Sequence, residues 1–338
     1  MHYLHSYCSF SHIKVITLRI MSIETDEKYM RRCLQLAANG MAHARPNPMV
    51  GSVIVCGDRI ICEGWHRRCG EAHAEVNAFA SVSKADEALL PQSTVYVSLE
   101  PCAHYGKTPP CADLIVSKGV KRVVVGCVDI FAKVEGRGIR RLRDAGIDVT
   151  VGVLEEECRW INRRFFTFHQ QHRPYVLLKW CQSADGYLDR AFSPCRMSSD
   201  YTSMLCHKLR AEEDAILVGR VTDERDHPQL NVRLWHGTDP MRIVIDRRNP
   251  CFDGLNFEQP VIPQLLHWLY QQTVQSLIVE GGADTLRRFI DLGLWDEIRV
   301  ETVPMMMGSG THAPLLPQGL REYRRTGYDQ RTIVNYIR

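Results

Sequence analysis

Four residues of this chain combine a metal-ligating set with a group that can carry protons. His73 and Glu75 lie two positions apart in the segment GEAHAEVNAFA, and Cys102 and Cys111 enclose the segment AHYGKTPP. A neutral imidazole with two thiolates is a suitable ligand set for a catalytic zinc, because it leaves the fourth tetrahedral position to water. We therefore expect His73, Cys102 and Cys111 to bind zinc and Glu75 to act as general acid and base.

The order of these residues is typical of hydrolytic removal of an amino group from a heterocyclic base. Zinc-dependent base deaminases use His-x-Glu followed by Pro-Cys and a second cysteine, and their glutamate carries protons without binding the metal. Zinc lowers the pKa of its bound water towards about 7, and Glu75 is expected to pass that proton to the ring nitrogen and the leaving ammonia. Cys69 could serve as a fourth ligand, but we interpret it as a structural thiol.

Predicted secondary structure places the ligands at strand ends and helix starts. An apolar strand over 94–99 leads into Cys102, and helices begin near His73 and at Cys111. The positive end of a helix favours thiolates and a metal-bound hydroxide. The remaining elements are predicted as strands over 50–56, 60–63 and 120–126 and helices over 26–39 and 136–145. Alternation of strands and helices indicates an α/β layer.

The chain is long enough for two domains. Its 338 residues compare with roughly 100–200 for a typical domain. We expect a disordered or non-native extension over 1–22, a first domain over 23–153, a connecting helix over 154–173 and a second domain over 174–338. The second domain is predicted to contain strands over 175–180, 215–219, 242–246, 276–280 and 298–303 and helices over 199–211, 263–272 and 283–292.

Composition restricts the partners and the compartment. Lys and Arg number 42 against 39 Asp and Glu, and the net charge of +3 is too small to indicate a nucleic-acid partner. No stretch reaches the roughly 20 apolar residues of a membrane span. The 13 cysteines are spread along the chain and two are explained as ligands, so we expect a reducing, cytoplasmic environment.

Three segments together carry a resemblance to a known family. RPNPMVGSVIV (45–55), GWHRRCGEAHAE (64–75) and LEPCAHYGKTPPC (99–111) resemble the deaminase half of the bifunctional riboflavin-biosynthesis enzyme. That enzyme deaminates a diaminopyrimidinone ribosyl phosphate and then reduces its ribose with NADPH. The long segment between the two cysteines is the specific sign, because cytidine and tRNA-adenosine deaminases have the short Pro-Cys-x-x-Cys pattern.

The resemblance implies a cytidine-deaminase-like α/β/α domain followed by a dihydrofolate-reductase-like α/β domain. In the first domain it implies substrate contacts from Asn47, His66 and Lys107. The family's Asp-Pro-Asn-Pro loop is replaced here by residues 129–132, Asp-Ile-Phe-Ala. The change from asparagine to phenylalanine removes a hydrogen-bond donor and an acceptor, so altered substrate binding is expected.

The second half of the chain resembles the reductase half of the same family. The segments that carry the resemblance are PYVLLKWCQSADGYL (174–188), AEEDAILVGR (211–220), DPMRIVIDR (239–247), SLIVEGGADTL (276–286) and PMMMG (304–308). Gly281 and Gly282 follow a predicted strand, where a glycine turn lets backbone amides approach a phosphate. By resemblance, the cofactor and substrate cleft is lined by Ser183, Asp185, Gly186, Thr222, Asp226, Leu230, Arg233 and Glu280. Arg233 is either a phosphate clamp or an exposed loop charge.

Two departures from the family pattern concern the reductase half. Arg220 and His227 stand where the family has small or amide side chains facing the cleft. A strand that the family has between Asp246 and Pro263 is missing. Its loss is expected to open a gap in a parallel sheet and to leave backbone groups unpaired. Either a neighbouring segment takes its place, or NADPH binding is impaired.

These observations predict a two-domain α/β enzyme of riboflavin synthesis with Zn²⁺ and NADPH as cofactors. The resemblance implies that it acts on a pyrimidine ribosyl phosphate and forms a homodimer. One alternative keeps only the deaminase activity, with the second domain retained for structure or dimerisation. Another is a non-catalytic protein with a structural zinc, which Glu75 argues against because a structural site does not need it. A nucleic-acid deaminase is disfavoured by the near-neutral charge and the long cysteine spacing.

Overall fold

The chain folds into two compact units, Met1–Phe166 and Thr167–Arg338. The computed structural model describes residues 7–105, 109–130, 136–191, 193 and 195–338, with side chains from residue 23 onward. Each unit has its own sheet and its own buried core. Among the residues so described, no helix is long and apolar enough to cross a membrane.

A five-stranded sheet forms the centre of the first unit. Its strands are β1 (Gly51–Cys56), β2 (Arg59–Trp65), β3 (Thr94–Leu99), β4 (Arg122–Cys127) and β5 (Asp148–Val151). They lie in the order β2-β1-β3-β4-β5. β1 pairs antiparallel with β2 and β3, whereas β3, β4 and β5 are parallel. β3 and β4 are almost continuous apolar runs, as expected for parallel strands covered on both faces.

Helices cover both faces of this sheet. They are α1 (Tyr7–Ala38), α2 (Ala74–Ala80), α3 (Cys111–Ser117), α4 (Arg137–Asp144), α5 (Glu155–Ile161) and the first part of α6 (Arg163–Gln171), whose residues from Thr167 onward belong to the second unit, with a 3₁₀ helix over Glu87–Gln92. Side chains of β3 alternate between the two faces: Val95 and Val97 pack with Ile115 of α3, and Tyr96 packs with Tyr29 of α1. This α/β/α sandwich confirms the predicted fold of the first half.

Two predicted segments overlap helices of this chain. α1 begins at Tyr7 and so includes residues 7–22 of the segment 1–22, whose assignment as a disordered or non-native extension stays a prediction. The connecting helix predicted over 154–173 is broken at Asn162 into α5 and α6. Asn162 is buried and hydrogen-bonds through its side chain to the backbone of Met49, which explains the interruption.

The second unit contains a seven-stranded mixed sheet. Its strands are β6 (Tyr175–Ser183), β7 (Ala215–Gly219), β8 (Met241–Ile245), β9 (Ser276–Val279), β10 (Glu297–Val303), β11 (Arg321–Tyr328) and β12 (Arg331–Ile337). They lie in the order β11-β12-β10-β6-β9-β7-β8. β10, β6, β9, β7 and β8 are parallel, and β12 and β11 add an antiparallel hairpin that the sequence did not predict.

Four helices pack on this second sheet. They are α7 (Asp200–Ala211), α8 (Arg220–Asp226), α9 (Val261–Gln271) and α10 (Ala283–Asp291). α9 and α10 bury Leu265 and Phe289 against one face, and α7 buries Leu209 against the other. α7 starts with a capping box between Ser199 and Thr202, which satisfies backbone N–H groups of its first turn. Helices on both faces of a mostly parallel sheet confirm the predicted α/β class.

The gap predicted in the parallel sheet is absent from these strands. β7 pairs with β8 along its whole length, from Ala215 opposite Met241 to Gly219 opposite Ile245. β8 is the edge strand of the sheet. A shortened segment after Asp246 therefore leaves an exposed edge and no break, and the predicted gap was wrong.

Candidate active sites

Three ligand atoms converge at one end of the first sheet. Nδ1 of His73 lies 3.6 Å from Sγ of Cys102 and 3.3 Å from Sγ of Cys111. All three atoms lie within 4.8 Å of one another. A tetrahedral zinc with bonds of about 2.3 Å to sulfur and about 2.0–2.1 Å to nitrogen holds such atoms roughly 3.5 Å apart. The three side chains therefore fit a zinc ion.

The ends of a strand and of two helices hold these ligands. His73 is the N-cap residue of α2, Cys111 is the first residue of α3, and Cys102 follows β3. The backbone N–H of Cys111 donates to Sγ of Cys102 over 3.3 Å, and that of Ala112 donates to the carbonyl of Cys102 over 3.1 Å. The predicted position of His73 and Cys111 at helix starts is confirmed. N–H groups there stabilise thiolate charge.

The two thiols differ in acidity because they contact each other. The thiol of Cys111 and the imidazole of His73 hydrogen-bond to Cys102 and lower the pKa of Cys102 to about 4. The same contact with Cys102, together with burial, raises the pKa of Cys111. The ligand set thus forms one thiolate readily, and a thiolate is the form that binds a metal.

Glu75 lies in the first turn of α2, two residues after His73, and is only 3% exposed. Burial raises the pKa of its carboxyl to about 7. A carboxyl group that exchanges its proton near neutral pH is suited to general acid–base chemistry. Its position and burial fit the predicted proton-carrying role.

Asn47 and His66 lie together beside this ligand set. Nδ2 of Asn47 lies 3.1 Å from Nε2 of His66, and Nδ1 of His66 lies 3.1 Å from the carbonyl oxygen of Ala72. Nδ1 therefore carries the proton, and Nε2 accepts from the amide of Asn47. The His66 ring contacts that of His73 edge-on, with centroids 5.6 Å apart. Burial lowers the pKa of His66, which favours this neutral form. Lys107, the third predicted substrate contact, lies outside the described residues.

Sequence reasoning missed Glu100, which immediately precedes Pro101. Its side chain is buried, with 4% exposure, and its carboxylate accepts four backbone hydrogen bonds. The donors are the N–H groups of Asp129, Gly136, Gly138 and Ile139, over 3.3, 3.0, 2.9 and 3.3 Å. The signal in the sequence is a single acidic residue at the end of an apolar strand. Phe131 and Ala132, part of the altered loop, lie outside the described residues.

In the second unit, a cleft of about 850 Å³ opens at the carboxyl ends of β7 and β8. Gly219, Thr222 and Gly282 line it. A Cβ atom on Gly219 would lie 2.5 Å from Oγ1 of Thr285, and Gly282 has a φ of +61°, which glycine adopts readily. Gly281 and Gly282 lead directly into α10, whose first N–H groups are free to bind an anion. The turn fits a phosphate of a dinucleotide.

Glu280, just before this turn, has a side chain that is only 8% exposed and lies in a cluster of charges. Arg210 donates to both of its oxygens over 2.9 and 2.8 Å, and Nζ of Lys179 lies 3.8 Å away. Burial alone would raise the pKa of Glu280, but Lys179 and Arg210 lower it to about 2. Two cations for one carboxylate leave an excess of positive charge. Lys179 and Arg210 were not among the predicted cleft residues. The lysine within the apolar strand YVLLKW could have indicated a buried charge.

Ser183 is the last residue of β6, and Asp185 and Gly186 follow it in the next turn. Oγ of Ser183 donates to Asp185 over 2.6 Å, and the N–H groups of Met307 and Gly308 donate to Asp185 over 3.1 and 2.7 Å. Together these hydrogen bonds lower the pKa of Asp185 to about 2, and the bond from Ser183 has the largest effect. Asp185 and Gly186 line a separate cavity of about 660 Å³ and are not among the residues of the larger cleft.

Asp226, Leu230 and Arg233 line neither cavity. Leu230 is 4% exposed and belongs to the core on the α7 face. Asp226 and Arg233 are exposed, and Arg233 donates to Oδ1 of Asn231 over 2.8 Å. This position of Arg233 matches its alternative interpretation as an exposed loop charge. Arg220 does line the larger cleft, where it pairs with Glu224.

Two family models match the chain. The cytidine and deoxycytidylate deaminase zinc-binding region matches residues 23–127, and the RibD C-terminal domain matches residues 174–327. The riboflavin biosynthesis protein RibD of Actinobacillus pleuropneumoniae is 42% identical, with 88% of this chain and 89% of that protein covered. RibD of Aquifex aeolicus is 36% identical, with 85% and 89% covered.

Solved structures agree with these matches. The diaminohydroxyphosphoribosylaminopyrimidine deaminase/5-amino-6-(5-phosphoribosylamino)uracil reductase of Thermotoga maritima superposes with a TM-score of 0.85 at 30% identity, covering 94% of this chain and 99% of that one. One form of RibD from Acinetobacter baumannii gives a TM-score of 0.80 at 31% identity, with 94% and 99% covered. The chain therefore belongs to the RibD family of bifunctional riboflavin biosynthesis enzymes, with a zinc-binding deaminase domain followed by an NADPH-dependent reductase domain.

Proposed function

We propose that the first unit deaminates 2,5-diamino-6-(5-phosphoribosylamino)pyrimidin-4-one and that the second unit reduces the ribosyl group of the product to ribityl. The observation that carries the proposal is the convergence of His73, Cys102 and Cys111 beside the buried Glu75. The Thermotoga maritima relative is named as a diaminohydroxyphosphoribosylaminopyrimidine deaminase and 5-amino-6-(5-phosphoribosylamino)uracil reductase, which supports this choice of substrates.

In the first unit, His73, Cys102 and Cys111 would hold zinc. Zinc supplies a water molecule of lowered pKa at this site. Glu75 would carry both protons of the attacking water, the first to the ring nitrogen and the second to the leaving amino group, so that the C–N bond breaks, ammonia departs and a ring carbonyl remains. His66 orients the amide of Asn47, which contacts the pyrimidine. Lys107 is proposed to contact the phosphate or a polar ring edge.

In the second unit, Thr222, Gly281 and Gly282 would bind the phosphates of NADPH, with the beginning of α10 supplying backbone N–H groups. NADPH supplies the hydride. The charged cluster of Glu280 with Lys179 and Arg210 has excess positive charge and suits the ribosyl phosphate. The remaining proposed cleft residues are Ser183, Asp185, Gly186, Asp226, Leu230 and Arg233. Because the sheet is continuous up to β8, no gap in it supports the alternative of a deaminase with an inactive second unit, and Arg220 and His227 remain the residues that favour that alternative.

We further propose a cytoplasmic homodimer. Met306 and Leu315 are 67% and 89% exposed in the second unit, and a subunit contact there would remove their apolar surface from water. Every cysteine whose side chain the structure describes is a free thiol, in keeping with a reducing compartment. Light scattering after gel filtration measures the oligomeric state, and a monomer at working concentrations would contradict the dimer.

The test of function measures both reactions on one zinc-loaded preparation. Ammonia release is followed with the diaminopyrimidinone, and NADPH oxidation is followed with the deaminated ribosylaminouracil phosphate. We expect Glu75→Gln to abolish ammonia release and to leave NADPH oxidation unchanged. A wild-type protein that binds zinc but releases no ammonia would instead support the non-catalytic alternative.

A further inference from the structure

We propose that Glu100 is a positioning residue of the zinc centre, whose buried carboxylate joins the loop that carries Cys102 to the beginning of α4 and so fixes the Cys102 thiolate. The inference rests on the proposed role of Cys102 as a zinc ligand. Glu100 acts on the metal site through Cys102, two residues further along the chain, and has no chemical role of its own in the proposal.

The first support is the number of bonds that end on this one side chain. Oε1 of Glu100 accepts from the backbone N–H groups of Gly138 and Ile139, and Oε2 accepts from those of Gly136 and Asp129. Its own N–H donates to the carbonyl of Cys127 over 3.0 Å. A carboxylate with four backbone donors has almost no freedom to move, because any displacement leaves buried N–H groups unpaired.

The second support is the close packing of α4 against the loop. A Cβ atom on Gly138 would lie 1.9 Å from the carbonyl oxygen of Pro101 and 3.3 Å from Cγ of Glu100. No side chain larger than hydrogen fits between the helix and the peptide that precedes Cys102. α4 therefore contacts the backbone of the loop directly, so neither the helix nor the loop can shift without moving the other.

The third support is that Cys102 is held from the opposite side as well. Its carbonyl and its Sγ accept from the N–H groups of Ala112 and Cys111 at the start of α3. α3 and α4 are joined in turn by an ion pair between Asp113 and Arg141. Cys102 thus lies between two linked helices, and Glu100 is its connection to α4. Ligand distances in a metal site tolerate only about 0.2 Å of error. We therefore expect the contacts that hold Cys102 to affect how tightly the site binds zinc.

Two variants disturb the loop from different sides. Glu100→Gln keeps the size of the side chain but replaces one acceptor oxygen with an NH₂ group that faces N–H donors. Gly138→Ala pushes a methyl group against Pro101, although alanine is a better helix former than glycine. We expect each variant to weaken zinc binding by roughly 10–100-fold, as found for residues that orient metal ligands. We also expect a shift in the thiolate-to-metal absorption of the Co²⁺-substituted protein.

The matched control is Asp26→Asn. Asp26 is a buried carboxylate of the same unit, accepting from Arg122 over 2.8 and 2.7 Å and from Tyr96 over 2.9 Å, and it contacts no zinc ligand. Asp26→Asn should lower the unfolding temperature and leave the cobalt spectrum and the zinc affinity unchanged. The inference is overturned if Glu100→Gln, or Gly138→Ala where the former does not fold, behaves like this control.

Cys102→Ser separates this inference from the proposed function. We expect it to remove part of the thiolate-to-cobalt absorption of the wild-type protein. If the wild type shows no such band, or if Cys102→Ser leaves it unchanged, the zinc assignment fails and the role of Glu100 fails with it. If the band depends on Cys102 but is untouched in the Glu100 and Gly138 variants, only the role of Glu100 is refuted.

Discussion

The side chain of Asn162 pairs with the backbone of Met49, 113 positions earlier in the chain, through two hydrogen bonds. Oδ1 of Asn162 accepts from the N–H of Met49 over 2.7 Å, and Nδ2 donates to the carbonyl of Met49 over 2.9 Å. Asn162 is 2% exposed and lies between α5 and α6. This pair anchors the segment that carries Asn47, the proposed substrate contact.

Asn162→Ala should therefore destabilise the first unit and weaken its substrate binding. The change leaves the N–H and carbonyl groups of Met49 buried without partners, at a cost of roughly 2–4 kcal/mol. We also expect a higher KM for ammonia release, because Asn47 loses its anchor. Urea unfolding and steady-state kinetics measure the two effects. Asn39→Ala, at an exposed position, is the control. An Asn162→Ala protein with wild-type stability would show that the pair does not stabilise the first unit.

Removal of the metal should separate the two activities. A chelator is expected to abolish ammonia release, because His73, Cys102 and Cys111 then have no ion to hold. NADPH oxidation with the deaminated substrate should persist, since the residues of the larger cleft belong to the second unit. Added zinc should restore ammonia release. Persistence of full ammonia release in protein shown by elemental analysis to contain no metal would contradict the zinc mechanism.

Gly282→Ala should weaken binding of the dinucleotide. Gly282 has a φ of +61°, and a Cβ atom there would lie 3.1 Å from Oγ1 of Thr222 in the cleft. We expect a loss of roughly 10-fold or more in NADP⁺ affinity by calorimetry, with ammonia release unchanged. Gly254→Ala is the matched control, because Gly254 has a φ of +87° but open space around it. Equal effects of the two variants would mean that backbone strain, and not contact with the cofactor, is responsible.

The second unit should lose stability in acid through Glu280. Lys179 and Arg210 hold the pKa of Glu280 at about 2, below its ordinary value of 4.5. Because the folded pKa is the lower one, ionised Glu280 stabilises the fold above pH 4.5, and this contribution of roughly 3 kcal/mol disappears as the pH falls towards 2.

Urea unfolding at pH 5 and pH 3 measures this contribution. Glu280→Gln should be less stable than the wild type at pH 5, with the difference shrinking at pH 3. Glu322→Gln, which alters an exposed pair with Arg325, should show little change at either pH. A difference between Glu280→Gln and wild type that stays constant with pH would exclude titration of Glu280 as the cause.

The strongly patterned parts of the fold could be predicted from the sequence. The bounds of β3 and β7 agree with the predicted ranges 94–99 and 215–219, because both are short apolar runs with clear ends. The hairpin of β11 and β12 was missed. β11 carries exposed charged side chains and so has no apolar alternation to reveal it.

The zinc ligands were recognisable because few residue types bind zinc and their order along the chain is restricted. Glu100 and Arg210 were not recognised, since their partners are distant in sequence, and for Glu100 they are backbone N–H groups that any residue supplies. The supposed gap after Asp246 was wrong for a related reason. One sequence does not reveal the order of strands in a sheet, and β8 proves to lie at the edge.

The division of the chain at Phe166 has a consequence for biosynthesis. All strands of the first sheet and all three proposed zinc ligands precede this residue. They leave the ribosome before the second sheet is made, and domains generally fold in that order. Asn162 lies close to the end of the first unit, so its pair with Met49 forms only after all three metal ligands have been synthesised. We therefore expect the ligand set to be complete for zinc binding before translation of the reductase is finished.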